Sequence, residues 1–168
     1  MRRRLVSMIL ALFLVGCGES KTAFDTDTSL GKLLEVEKRT KSVSTDIDPA
    51  RISPGESEVL FLLTFSGQGE ITYTSGRDYP LISSSGSQFY PTFAGNPTGD
   101  DTLSGGKWLM TGVMGGQDGT FVMQGAVTYT LPKSQTPRRT VFVYVVPKDA
   151  GALTLKDGDH TFPIGNTK

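Results

Sequence analysis

The chain has 168 residues, with 17 Lys and Arg against 17 Asp and Glu, one Cys and one His. The balanced charge gives no field to draw nucleic acid; the lone Cys excludes an internal disulfide, and the lone His excludes any site that needs two. Twenty glycines and nine prolines, about one residue in six, suit many short strands and turns better than long helices.

Residues 1–17 read MRRRLVSMILALFLVGC. Arg2, Arg3 and Arg4 precede an apolar run of 11 residues from Leu5 to Val15. A bilayer span needs about 20 residues, so the run matches the core of a secretory signal instead. It ends in Leu14-Val15-Gly16-Cys17, which resembles the lipobox of bacterial lipoproteins. That resemblance implies a lipoprotein signal peptide over 1–16, cleavage before Cys17, and a diacylglyceryl group on its thiol. Acylation also gives the odd cysteine of an exported protein a role. Loss of residues 1–16 removes three arginines and no acid, leaving 14 basic and 17 acidic groups. Two or three acyl chains such as palmitate hold a protein to a membrane where one is marginal. Lipoproteins of this kind are kept at an inner membrane by Asp after the cysteine. Gly18 therefore implies the periplasmic side of the outer membrane, if the cell has two.

Residues 17–31 are polar after the cysteine and read as a lipidated flexible tether. A single domain is expected over 32–168. Leu33, Glu35, Glu37 and Arg39 alternate with Leu34, Val36 and Lys38, which predicts a half-exposed or edge strand with one charged face. Val59 to Phe65 (VLFLLTF) is an unbroken apolar run, too short for an ordinary helix and expected as a strand covered on both faces. Tyr79 to Ser83 and Gln88 to Phe93 flank a Gly-containing turn, a hairpin pattern. Ala94 to Lys107 carries no usable period and is expected as a long loop. Trp108 to Met114 and Thr120 to Leu131 bracket Gly115–Gly119 as a second hairpin, with a β-bulge expected near Gly125. Pro132 to Arg139 reads as a polar connector that leaves Arg138 and Arg139 exposed. Thr140 to Val146 (TVFVYVV) is the strongest strand pattern, stopped by Pro147. Leu153 to Leu155 and His160 to Ile164 close the chain as a last hairpin. No amphipathic helix is evident. The fold class is all-β: a single antiparallel β-sandwich, or a barrel by the same strand pattern, behind a signal peptide and tether.

Three segments carry a second likeness: Val59 to Phe65, Tyr79 to Tyr90, and Val141 to Lys148 with the following Leu153-Thr154-Leu155. Together they resemble the immunoglobulin-like, telokin-like domains of unknown function that follow lipobox cysteines in bacterial envelope lipoproteins. The resemblance implies an immunoglobulin-like sandwich and brings no catalytic residue.

His160 follows Asp157 and Asp159 on a turn, but no Gly-x-Ser-x-Gly elbow presents a serine to it. One His and an acylated Cys leave no ordinary zinc or copper site. Asp100, Asp101, Asp118, Asp157 and Asp159 fall on expected turns, and none forms an EF-hand loop. Neither cofactor nor metal is expected, and no enzymatic activity. The 94–107 loop, with Asn96, Asp100 and Asp101 running into Trp108, is the candidate binding loop, because loops on a rigid scaffold carry binding. The expected function is a membrane-anchored binding or structural module for an envelope protein or polymer. The alternative is a sensor or carrier for a small ligand or Ca²⁺.

Overall fold

The computed structural model of the chain describes residues 19–46, 51–74, 76–99, 102–105, 107–115 and 122–168, with backbone alone at 107–115 and 122–129. All regular structure among these residues is β. The first strands are β1 (Ser20–Thr28), β2 (Gly31–Arg39), β3 (Val43–Thr45), β4 (Arg51–Ile52) and β5 (Glu58–Gly67). Next come β6 (Ile71–Thr74), β7 (Leu81–Ser83), β8 (Gln88–Phe89), β9 (Phe93–Gly99) and β10 (Thr102–Gly105). The last are β11 (Lys107–Gly115), β12 (Val122–Leu131), β13 (Arg138–Pro147), β14 (Ala152–Asp157) and β15 (His160–Asn166).

They form three sheets: eight strands in the order β1-β2-β5-β13-β9-β10-β3-β4, three in the order β11-β12-β6, and four in the order β15-β14-β7-β8. Pairing is antiparallel except between β10 and β3. The eight-stranded sheet cannot be flat, and the chain itself says why. In sheet order β2 and β3 lie five strand positions apart, which is about 24 Å in a flat sheet. Residues 40–42 alone connect them, and four Cα steps reach at most about 15 Å. The sheet therefore curls, bringing β3 and β10 back toward β1 and β2.

Alternation along the central strands divides the core in two. Val59, Phe61, Leu63 and Phe65 of β5, with Phe142, Tyr144 and Val146 of β13, pack outward in the larger cluster. There they meet Ile71, Tyr73 and Leu131 of the three-stranded sheet and Leu81, Leu153, Leu155 and Ile164 of the four-stranded one. Leu60, Leu62, Val141 and Val143 point the other way, into the concave side, where Val43, Ile52, Phe93 and Leu103 cover them. VLFLLTF is thus buried on both faces, as its unbroken apolar run requires.

Four expectations need correction. Residues 20–28, read as tether, are β1, a bulged strand laddered on β2 from Ser20↔Lys38 to Thr28↔Gly31. Its turn is fastened to the body: buried Asp157 accepts hydrogen bonds from the Ser29 N–H at 2.7 Å and from the Ser29 hydroxyl. Gly31 has φ +109°, and a Cβ there would collide with the Ser66 carbonyl oxygen. Ala94 to Lys107 is no loop either. Most of it is the β9–β10 hairpin, with Leu103↔Pro97, Ser104↔Asn96 and Gly105↔Gly95 in register. The bulge expected at Gly125 is absent, since β11 and β12 pair without a break from Lys107↔Thr130 to Gly115↔Val122. The bulge lies instead in β2, between Leu33 and Glu35, so that Leu33 and Val36 share the core face. Finally, Arg138 and Arg139 are strand residues of β13, not connector.

Candidate functional site

Curling leaves a groove of about 450 Å³ on the concave side of the large sheet. Seven of its eight strands contribute, all but β4. The floor is apolar, made by Leu34, Val43, Leu62, Leu103 and Val141. The β9–β10 hairpin supplies one lip through Pro97, Gly99 and Thr102. Asp46 pins that hairpin to β3: its carboxylate accepts from the Ser104 hydroxyl at 2.6 Å and the Gly105 N–H at 2.8 Å. The hydroxyl first, and then the backbone N–H, hold the Asp46 carboxyl below its ordinary value of 3.8.

The opposite wall is charged, and β1 and β2 build it. Alternation puts Glu35, Glu37 and Arg39 on the groove face, and the register sets Lys21 directly across from Glu37. Lys21 Nζ lies 3.4 Å from Glu35 and 3.3 Å from Glu37. Arg39 grips Glu37 through both Nε and Nη2, the latter at 3.2 Å. The Glu37 and Arg39 side chains are only 12% and 16% exposed, so this pair is largely withdrawn from water. Burial pulls the Lys21 ammonium down, but Glu37 and Glu35 together outweigh it and hold it above its ordinary 10.5.

Arg139 stands apart from this network. It enters the groove from β13, two residues from Val141, and is exposed. Its side chain makes no hydrogen bond or ion pair with any of the described residues. Its neighbour Arg138 points to the other face and acts as a clamp. Its guanidinium donates to the carbonyls of Pro132, of Gly69 at 2.7 Å and of Leu131 at 3.3 Å. Partial burial pulls the Arg138 guanidinium below its ordinary value.

The structure brings few of the expected site residues here. Cys17, Asp100 and Asp101 lie outside the described residues, as does the tip at 116–119. Trp108 falls in β11, opposite Tyr129. Asn96 is on β9 but turned away from the groove: it shares the face of Ala94 and accepts from the buried Thr140 hydroxyl at 3.4 Å. Its hairpin, however, is the groove's lip, so the expected segment contributes through Pro97, Gly99, Thr102 and Leu103. Lys21 is not legible as a site residue, and Arg139 reads as an exposed connector, because the two share a groove only through strand pairings remote in sequence. The charged face of β2 was the one available signal.

A second concavity, of about 580 Å³, lies beside Asp157, with Arg77, Tyr79 and Lys156 on its walls. It is larger but shallower and more polar, and Asp157 is already committed to Ser29. Among the described residues no three His, Cys, Asp or Glu side chains converge as a metal site. No family model matches the sequence, and neither a curated protein nor a solved structure does.

Proposed function

We propose that the chain is a non-enzymatic lipoprotein of the bacterial envelope: an immunoglobulin-like β-sandwich anchored through acylated Cys17, which binds a small ligand. The observation that carries the ligand reading is the groove. Its volume of about 450 Å³ falls in the range of small-molecule sites, roughly 300–1,000 Å³, which combine an apolar lining with a few placed polar groups. The 94–107 segment is the expected binding loop for an envelope protein or polymer. That segment is a strand pair closing the groove, which favours the carrier or sensor reading. The layered packing of the large sheet on the two smaller ones supports the sandwich, and the lipobox-like Leu14 to Cys17 supports the anchor.

Thr64 is a half-buried groove residue on β5, and Thr64→Trp would fill the space. A thermal-shift screen of the full chain against small organic metabolites reads binding as a rise in melting temperature. Compounds that stabilise the wild type are expected to lose their effect on Thr64→Trp, with circular dichroism unchanged. If every stabilising compound acts equally on both proteins, the groove is not the site.

A further inference from the structure

We infer that the groove selects an amphiphilic anion: a carboxylate on a short hydrocarbon chain, with Arg139 as the group that holds the carboxylate. This rests on the reading of the groove as a ligand site and adds the chemical class. Among the described residues five ionised side chains face the groove: Lys21, Arg39 and Arg139 against Glu35 and Glu37. The first two cations are consumed by the two acids at the distances given above. Of the described residues Arg139 is what remains, a positive charge beside an apolar floor.

The geometry suits a ligand with two ends. Arg139 precedes Val141 on the same face of β13, and Val141 adjoins Leu62 and Leu103 in the concave cluster. A hydrocarbon tail laid on that floor leaves its head at the guanidinium. A planar guanidinium presents parallel N–H donors that match a carboxylate, and such charge-assisted pairs are among the stronger hydrogen bonds. A cationic head would meet Arg139 unopposed. A neutral head would gain the tail contacts without the ion pair.

The test uses the full chain in lipid nanodiscs, with empty nanodiscs subtracted, titrated calorimetrically with octanoate, octanol and octylammonium. Octanoate is expected to bind saturably, one per chain, at least about tenfold more tightly than octanol. Octylammonium is expected to give no saturable heat. Arg139→Gln should weaken octanoate by about tenfold and leave octanol unchanged, and Arg139→Lys should restore part of the loss. Octanoate binding that is absent, or that is indifferent to Arg139→Gln, overturns the assignment. Octylammonium binding as tight as octanoate overturns it too. The ligand reading fails separately, by the Thr64→Trp comparison, so an anion-blind groove and an empty one give different results.

Discussion

The Tyr144 hydroxyl is fully buried and donates to the Tyr79 carbonyl at 2.9 Å, across 65 residues of sequence. Burial first, and then Tyr73 and Tyr79, push it well above the ordinary phenol value of 10.0. Tyr79 itself has φ +54°, a conformation that side-chain-bearing residues rarely hold without support. Tyr144→Phe removes the donor and keeps the ring, so it should cost about 1–2 kcal/mol. Scanning calorimetry would read that as a fall of several degrees, and an unchanged melting temperature would count against the bond. Asp46 gives a pH signature. Its folded value lies below 3.8, so its contribution is present above the unfolded value and is lost as pH falls through the folded one. The melting-temperature gap between wild type and Asp46→Asn should therefore close between about pH 5 and about pH 2. A gap that stays constant over that range would remove the carboxylate from the account.

Two contrasting elements show how sequence reports structure. β5 and β13 are recognisable because both their faces are buried, so every position favours an apolar or β-branched residue. β9 is invisible by the same criteria, since Gly95, Asn96 and Pro97 are poor strand formers. It is a strand because β13 and β10 flank it closely. A Cβ on Gly95 would sit 2.6 Å from the Ser104 carbonyl oxygen and 2.7 Å from the Phe93 ring. Gly95→Ala must push β9 from β10 and should cost about 1–3 kcal/mol, read as a lower denaturation midpoint with an unchanged slope. β1 was hidden for a different reason: its outer edge is solvated, so Ser20 to Thr28 carries the polar composition of a linker. Backbone pairing and the Asp157 contact hold it, and neither leaves a periodic pattern. The groove follows from the same non-local pairings, which is why only its β2 wall could be read in advance. At the centre of the sheet, Val143 lies between Leu62 and Phe93 with no exposed surface. Val143→Asp puts an unpartnered charge there and should cost several kcal/mol, comparable to the whole stability of such a domain. A melting point within a few degrees of wild type would contradict the two-sided core.

At the scale of the molecule, the larger hydrophobic cluster takes side chains from all three sheets. One cooperative unfolding transition is expected, with fluorescence and circular dichroism coinciding. The anchor has its own test. The mature protein should begin at Cys17 with its acyl groups, and Cys17→Ala should yield an uncleaved or unlipidated product. Mass spectrometry of the N-terminus decides this, and a start at any other residue sinks the lipoprotein reading.

The strand order carries a consequence for how the fold can be reached. β13 sits between β5 and β9 and ladders with both, yet 70 residues lie between Gly67 and Arg138 and it is nearly the last strand to be synthesised. A chain that emerges N-terminus first therefore holds Val59 to Phe65 with one edge vacant until Arg138 to Pro147 arrive. That run is strongly β-prone and uncharged, the kind of segment that pairs with a second copy of itself when left waiting. Assembly of the sheet is thus a late event, slow by the measure of its distant pairings. A chain ended at Pro137 should aggregate rather than fold.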